Sequence, residues 1–334
     1  MAVQNNASLP EGLEIGGYRI VKKIASGGFS IVYLAEDGEG GAVAIKEYLP
    51  SALALRPPGA LAPSIPAVNL PVFRIGLKCF FDEGRALARI VHPNVVRVLN
   101  FFRANDTVYM VMAYEAGHTL QEAIERAPGG RIGEAFIRQV FHGVCAGLRE
   151  VHANKLLHLD LKPANIYLRG DGTPMLLDFG AARQTIRTDA TAPAPTLAPT
   201  VAPIYTPGFA APELLVRGAP LGPWTDIYGI GAAIHACMTG TPPQPADARR
   251  QADRMPERYA RLEAAGEHAP DLVALVRACL EPDPLARPQS VFAVQKALQA
   301  GVRPATGPAP EPAPAASAWR GLIGRLGAFG RRQA

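Results

Sequence analysis

Long apolar runs are missing from this 334-residue chain. Its apolar stretches near Val108–Tyr114 and Gly229–Met238 fall far short of the roughly 18 residues that cross a bilayer, so no membrane-spanning helix is expected. The opening MAVQNNASLPEGLEIGGYRI has no basic start leading into an apolar run, and no secretory leader is expected. Paired cysteines are also missing. Cys79, Cys145, Cys237 and Cys279 are widely spaced and form no CxxC motif, which predicts buried thiols in a reducing cytoplasm. Charged residues are scarce at 19% while hydrophobic ones reach 48%, a balance that folds rather than stays disordered. No internal repeat is visible.

At roughly 150 residues per domain the length allows about two core-forming units. The first hundred residues read as short strands, Tyr18–Ile24, Ile31–Glu36, Ala42–Glu47, Val95–Phe102 and Val108–Tyr114, bounded by Gly-Gly, Asp-Gly and Asn-Asp turn signals. A helix-like stretch near Leu77–Ile90 interrupts them. From Thr119 the period becomes helical. Thr119-Leu-Gln-Glu122 is a capping box, and Ile132, Phe136, Val140, Val144, Leu148 and Val151 form an apolar stripe at helical spacing. The pattern is an α+β protein with a small sheet lobe, a larger helical lobe and a cleft between them. Residues 181–210 carry five Pro, six Thr and eight Ala, and a structureless loop of that length usually serves function. Residues 301–318 read as a Pro/Ala-rich linker.

The chemistry-bearing residues follow in order. In Ile24-Ala-Ser-Gly-Gly-Phe-Ser-Ile-Val-Tyr33, glycines between two strands let backbone amides approach a polyphosphate, and Val32 offers a flat surface to a base; a Gly-Gly hairpin is also commonly just a turn. Val43-Ala-Ile-Lys46 places a lysine on the following strand, and Glu83 is a candidate counter-ion. The strongest signal is Leu157-His-Leu-Asp160-Leu-Lys162-Pro-Ala-Asn165-Ile-Tyr, followed by Asp178-Phe-Gly180. Phosphoryl transfer from ATP needs positioning and charge neutralisation more than covalent chemistry. One carboxylate must orient the attacking hydroxyl, another must hold metal, and an amide can complete the metal shell. Asp160, Asp178 and Asn165 fit those roles.

This ordered set, from the Gly-rich loop through VAIK, Glu83, HxDLKPxN and DFG to Ala211-Pro-Glu213, resembles the protein-kinase superfamily, in particular bacterial eukaryotic-like Ser/Thr kinases. The resemblance spans roughly Tyr18 to Ala300. It implies a bilobal kinase fold with an N-lobe at 18–113 and a C-lobe at 114–300, preceded by an extension at 1–17. It further implies that Ser26, Gly27, Gly28 and Phe29 form the loop over the ATP phosphates. Lys46 would hold the α- and β-phosphates and pair with Glu83. Asp160 would be the catalytic base, Lys162 would steady the γ-phosphate, and Asn165 and Asp178 would bind Mg2+. Val32 and Ala44 would roof the adenine and Tyr167 floor it, with Met112 as gatekeeper and the backbones of Ala113 and Glu115 as the hinge. Glu213 and Arg287 resemble the family's buried ion pair, Asp226 the aspartate that braces the catalytic loop, and Leu87, His158 and Phe179 the apolar stack between lobes. Lys162-Pro163 and Thr206-Pro-Gly-Phe resemble Ser/Thr rather than tyrosine kinases. The implied activity is transfer of phosphate from Mg-ATP to Ser/Thr of protein substrates, with autophosphorylation at candidates Thr185, Thr188, Thr191, Thr196 and Thr200. The alternative is a pseudokinase scaffold that binds nucleotide or partners.

Three departures stand out. Ala25 and Ser30 replace glycines, which predicts retained but weaker ATP binding. Leu159 replaces the arginine that in the family gathers an activation-loop phosphate. The segment between Lys46 and Glu83 is long, and the 47–76 stretch is expected to be an exposed ordered loop. Finally, Trp319, Leu322, Ile323, Leu326 and Phe329 fall on one helical arc of 319–334, with Arg320, Arg325, Arg331 and Arg332 on the other. Glycines at 321, 324, 327 and 330 weaken that helix. Peripheral contact with an anionic membrane face, docking on a lobe or partner, and an unstructured basic end all remain open. The formal charge of +5 resides mostly here: five arginines and one glutamate give residues 301–334 a net +4, leaving +1 for 1–300. Nucleic acid is therefore not an expected partner, and a cytoplasmic location is expected.

Overall fold

The computed structural model describes residues 6–179, 206–216 and 218–300. The chain divides into two compact units, Met1–Gly301 and Val302–Ala334. The second unit, with the arginine-bearing 319–334 segment, lies outside the described residues, as do Gly180 and Thr185, Thr188, Thr191, Thr196 and Thr200. No helix among the described residues is long and apolar enough to cross a membrane.

Strands β1 (Glu14–Ile15), β2 (Tyr18–Ser26), β3 (Ser30–Glu36) and β4 (Ala42–Tyr48) are followed by helix α1 (Leu70–Leu87), then by β5 (Val98–Ala104) and β6 (Thr107–Ala113). The six strands form one antiparallel sheet in the order β1-β2-β3-β4-β6-β5. Directly opposed residues share a face. Val32 opposes Lys46 and Ala44 opposes Met112 on one side; Tyr33 opposes Ile45 and Glu47 opposes Tyr109 on the other. The β5–β6 turn uses the Asn-Asp signal: Asn105 and Asp106 both take positive φ, 50° and 56°, as a two-residue turn matched to strand twist requires.

Helix α1 starts seven residues before the sequence suggests. Pro71 and Gly76 look like breakers, but Pro71 sits in the first turn, where its missing N–H is no loss. Gly76 is required by packing, because a Cβ there would stand 2.0 Å from the Tyr48 hydroxyl. Tyr48 in turn packs against Phe73 and Phe80, with ring centroids 5.2 and 5.6 Å away. The preceding segment is exposed at residues 57–59 and 66–68, in keeping with its Pro and Ala content, but Leu49, Ala54 and Arg56 are buried. Val95 and Val96, expected on a strand, precede β5 and dock instead on Leu176, whose carbonyl accepts from Val96 N–H at 3.0 Å.

The second half begins with β7 (Gly117–Thr119) and α2 (Leu120–Arg126), whose capping box joins Thr119 and Glu122 reciprocally. Helix α3 (Glu134–Ala153) follows, burying Ile137, Val140, Phe141, Val144, Cys145, Leu148 and Val151. Ile132 lies just before the helix and Phe136 in its first turn; both are partly buried and pack against the same core. Each such side chain contributes about 1.5–3 kcal/mol by leaving water. Strand β8 (Ile166–Arg169) pairs with β7 on one side and β9 (Pro174–Leu176) on the other, forming a small second antiparallel sheet. Helix α4 (Pro223–Thr239) is buried on all sides from Thr225 to Met238, the signature of a central helix. It is surrounded by α3, α7 (Pro270–Cys279) and α8 (Val291–Ala300), with α5 (Ala246–Arg249) and α6 (Met255–Ala265) between. Cys145, Cys237 and Cys279 are buried free thiols as expected, whereas Cys79 on α1 is exposed.

Candidate active site

Pleating sends Lys46 of β4 to the sheet face that also carries Val32, Ala44 and Met112. Lys46 is buried there, and its ammonium is hydrogen-bonded to the Asp178 carboxylate. Burial alone would lower the Lys46 pKa, but the Asp178 and Glu83 carboxylates outweigh it and raise it. Burial would likewise raise Asp178, yet the facing Lys46 holds it below the usual carboxylate range. Glu83 on α1 is buried and close enough to feel Lys46, but the direct ion pair expected between them does not form; Lys46 is taken by Asp178. Left with burial as the dominant influence, the Glu83 carboxyl is pushed up to about 8.

Asp160 lies on the loop between α3 and β8. Its Oδ2 accepts from Lys162 Nζ at 2.7 Å and from Asn165 Nδ2 at 2.9 Å. Asn165 Nδ2 also donates to the Asp160 carbonyl at 2.8 Å. With its nitrogen pinned twice, Asn165 has an amide oxygen that no group among the described residues engages. Thr206 adds a link that sequence reasoning did not assign: Lys162 Nζ donates to its Oγ1 at 2.9 Å, and Oγ1 donates to Asp160 Oδ1 at 3.3 Å. The TPGF segment is thereby tied to the candidate base.

This loop is braced from below. Asp226 of α4 is buried, and its two oxygens accept from the backbone N–H groups of His158 and Leu159 at 2.9 and 2.7 Å. His152 Nε2 supplies a third bond at 2.8 Å. Burial would raise the Asp226 carboxyl, but His152 and these donors hold it below its ordinary value. Leu159 takes a positive φ of 62° while its N–H is held by Asp226. His158 accepts from Asp160 N–H through Nδ1 at 3.3 Å and donates through Nε2 to the Leu177 carbonyl at 3.0 Å, so it is the neutral tautomer, and burial lowers its pKa. Its ring packs on Phe179 with centroids 4.5 Å apart. Leu87 and Phe179 are buried in the same core.

The remaining expected residues are distributed as follows. Ser26 ends β2, and Gly27, Gly28 and Phe29 form the exposed turn into β3, closed by Gly27 N–H on the Ser30 carbonyl at 2.9 Å. Ala113 ends β6 and Glu115 follows it. Tyr167 on β8 donates its hydroxyl to the Glu115 carbonyl at 3.0 Å, joining the expected floor to the expected hinge. The Glu213–Arg287 pair is bidentate at 2.8 and 3.0 Å, and Arg287 also caps the carbonyls of Glu281, Pro282 and Trp224. Among the described residues no cluster of three His, Cys, Asp or Glu could hold a metal alone. The Asp178 carboxylate and Asn165 amide oxygen are hard donors that suit a cation completed by phosphate oxygens and water rather than a protein cage.

A small sheet lobe and a helical lobe, with lysine, aspartates and asparagine converging where they meet, define a fold of kinase architecture. The protein kinase domain model matches residues 18–300, and the chain belongs to that family. It is 30% identical over 282 residues to a probable serine/threonine-protein kinase, PkwA, of Thermomonospora curvata, covering 82% of this chain but 33% of that one. It is 31% identical to the serine/threonine-protein kinase pkn3 of Myxococcus xanthus, covering 66% of this chain and 41% of the relative. The chain thus spans a third to two fifths of the length of these relatives. Among solved structures, the apo form of PpkA-294 matches with a TM-score of 0.73 at 33% identity, over 87% of this chain and 99% of that one. The PknI kinase domain of Mycobacterium tuberculosis shares the fold at a TM-score of 0.61 and 22% identity.

Proposed function

We propose that this chain is a serine/threonine protein kinase that transfers the γ-phosphate of ATP, with Mg2+, to Ser or Thr hydroxyls of protein substrates, its own included. The observation that carries the reading is the Asp160 carboxylate, held at once by Lys162, Asn165 and Thr206. Such a carboxylate is oriented to accept the proton of an attacking hydroxyl. Lys46 would sit against the α- and β-phosphates and Lys162 against the γ-phosphate; Asp178 and the Asn165 amide oxygen would hold Mg2+, which supplies charge neutralisation when bound. Val32, Ala44, Met112, Tyr167 and the backbones of Ala113 and Glu115 would enclose the adenine. Bacterial relatives named as serine/threonine kinases support the substrate class. A pseudokinase role is not favoured, because Lys46, Glu83, Asp160, Asn165 and Asp178 are all present.

The test is incubation of the purified chain with Mg-ATP and a generic acceptor protein, beside Asp160→Asn and Lys46→Met. Phosphate on Ser or Thr that both substitutions reduce by about 10²-fold or more is the expected outcome. ATP binding without transfer would establish the scaffold reading instead. For residues 319–334 we propose peripheral contact with an anionic membrane face or docking on a lobe or partner; co-sedimentation with anionic liposomes that falls when they are deleted supports the first, and equal binding refutes it.

A further inference from the structure

Arginine is almost never fully buried unless its donors are matched. Arg56 is 0% exposed, and all five of its side-chain N–H groups have acceptors. Nε donates to the Ala7 carbonyl, Nη1 to Glu47 Oε1 and the Leu61 carbonyl, and Nη2 to Glu47 Oε2 and the Tyr33 hydroxyl. Glu47 is equally buried and also accepts from the hydroxyls of Tyr33 and Tyr109, both at 2.8 Å. The Arg56 backbone is strapped by the N-terminal extension: its N–H donates to Asn6 Oδ1 and its carbonyl accepts from Ala7. A polar network with every member satisfied is rigid. It fixes the far end of the segment that leaves β4.

The near end of that segment lies against the Gly-rich turn. Leu49 N–H donates to the Phe29 carbonyl at 2.8 Å. Ser51 donates to the Gly28 carbonyl twice, through N–H at 2.9 Å and Oγ at 3.2 Å. The peptide unit is planar and trans, so holding the Gly28 carbonyl fixes the Phe29 N–H in the opposite direction. That N–H has no acceptor among the described residues.

We propose that Leu49–Arg56 is a positioning element for the phosphate-binding turn, with Ser51 as its contact and the Arg56–Glu47 pair as its anchor. Ser51 holds the Gly28–Phe29 peptide so that the Phe29 N–H faces the ATP phosphates. In this chain Ala25 and Ser30 stand where the family has glycines, and an external brace sets the turn's conformation. The proposal rests on the nucleotide-binding reading above.

The test compares ATP and adenosine, which share the base and ribose and differ in the phosphates, by calorimetric titration. Ser51 occupies the first central position of a turn closed by Leu53 N–H on the Pro50 carbonyl at 3.0 Å, a position suited to proline. Ser51→Pro therefore removes both donors while keeping the turn. It should raise the Kd for ATP about 5- to 10-fold and leave that for adenosine within about twofold, with Ser51→Ala in between. Unchanged ATP affinity in folded Ser51→Pro, or equal loss for both ligands, would overturn the proposal. Failure of the unsubstituted chain to bind ATP at all would overturn the nucleotide reading itself. Should Ser51→Pro not fold, amide hydrogen exchange on the unsubstituted chain decides. Slow exchange at Leu49 and Ser51, slower still with ATP, is expected; fast exchange at both refutes the brace.

Discussion

Lys46 is hydrogen-bonded to Asp178, 132 residues further along the chain, while Glu83 stands beside them with no ion pair among the described residues. The consequence is electrostatic: burial dominates Glu83 and pushes its carboxyl up to about 8 from 4.5. The unfolded chain therefore ionises at lower pH than the folded one. This residue's contribution is full below about pH 4.5 and is lost as pH rises toward 8. Glu83→Gln should remove that slope, melting higher than the parent at pH 8 and equally at pH 4 by calorimetry. A Glu83→Gln variant that is less stable than the parent at pH 8 would contradict this account.

Asp226 accepts two backbone N–H groups of the loop that carries Asp160, and an amide cannot accept both and the His152 donor as well. Asp226→Asn leaves at least one buried donor unmatched, at a cost of about 1–3 kcal/mol. Transfer should drop at least about tenfold with ATP affinity unchanged, because the loop moves and the nucleotide walls do not. Paired binding and turnover measurements check this.

Removing the Arg56 side chain strands a carboxylate that is completely buried. Arg56→Ala should cost about 3–5 kcal/mol of stability. Adding Glu47→Gln should recover part of it, a non-additivity expected of direct contacts. Urea unfolding of the two single variants and the double variant reads the coupling; strict additivity would refute it.

Leu159 is buried, and its backbone, not its side chain, engages the core of the loop. An isobutyl group offers nothing to a phosphate. Phosphatase-treated and untreated enzyme should therefore transfer phosphate at similar rates. Near-total loss after treatment would show that another cation performs the arginine's task.

Lobe order, the five main strands, the α2 capping box and the grouping of Asp160, Lys162 and Asn165 were legible because each rests on local spacing or an ordered motif. The start of α1 was not, since the room that Gly76 needs is defined by Tyr48, across the lobe from it in sequence. Nor was the partner choice of Lys46, which depends on where a loop 132 residues away comes to rest. Glu47 was open to discovery: alternation from Lys46 turns a carboxylate onto the face of Tyr33 and Tyr109. Its cation was not, because no periodicity points from a Pro- and Ala-rich stretch to Arg56.

Lys46 and Glu47 are neighbours that serve opposite sides of one strand. Sliding β4 by a single residue would turn each onto the opposite face. Moved one way, Glu47 takes the place of Lys46 and sets a carboxylate against Asp178; moved the other way, Lys46 takes the place of Glu47 and sets an ammonium against the Arg56 guanidinium. Either mispairing repels. The segment after β4 thus acts as a proofreader of strand alignment: one slip is refused by Asp178 and the other by Arg56, and only the alignment that delivers Lys46 to the cleft lets Arg56 close.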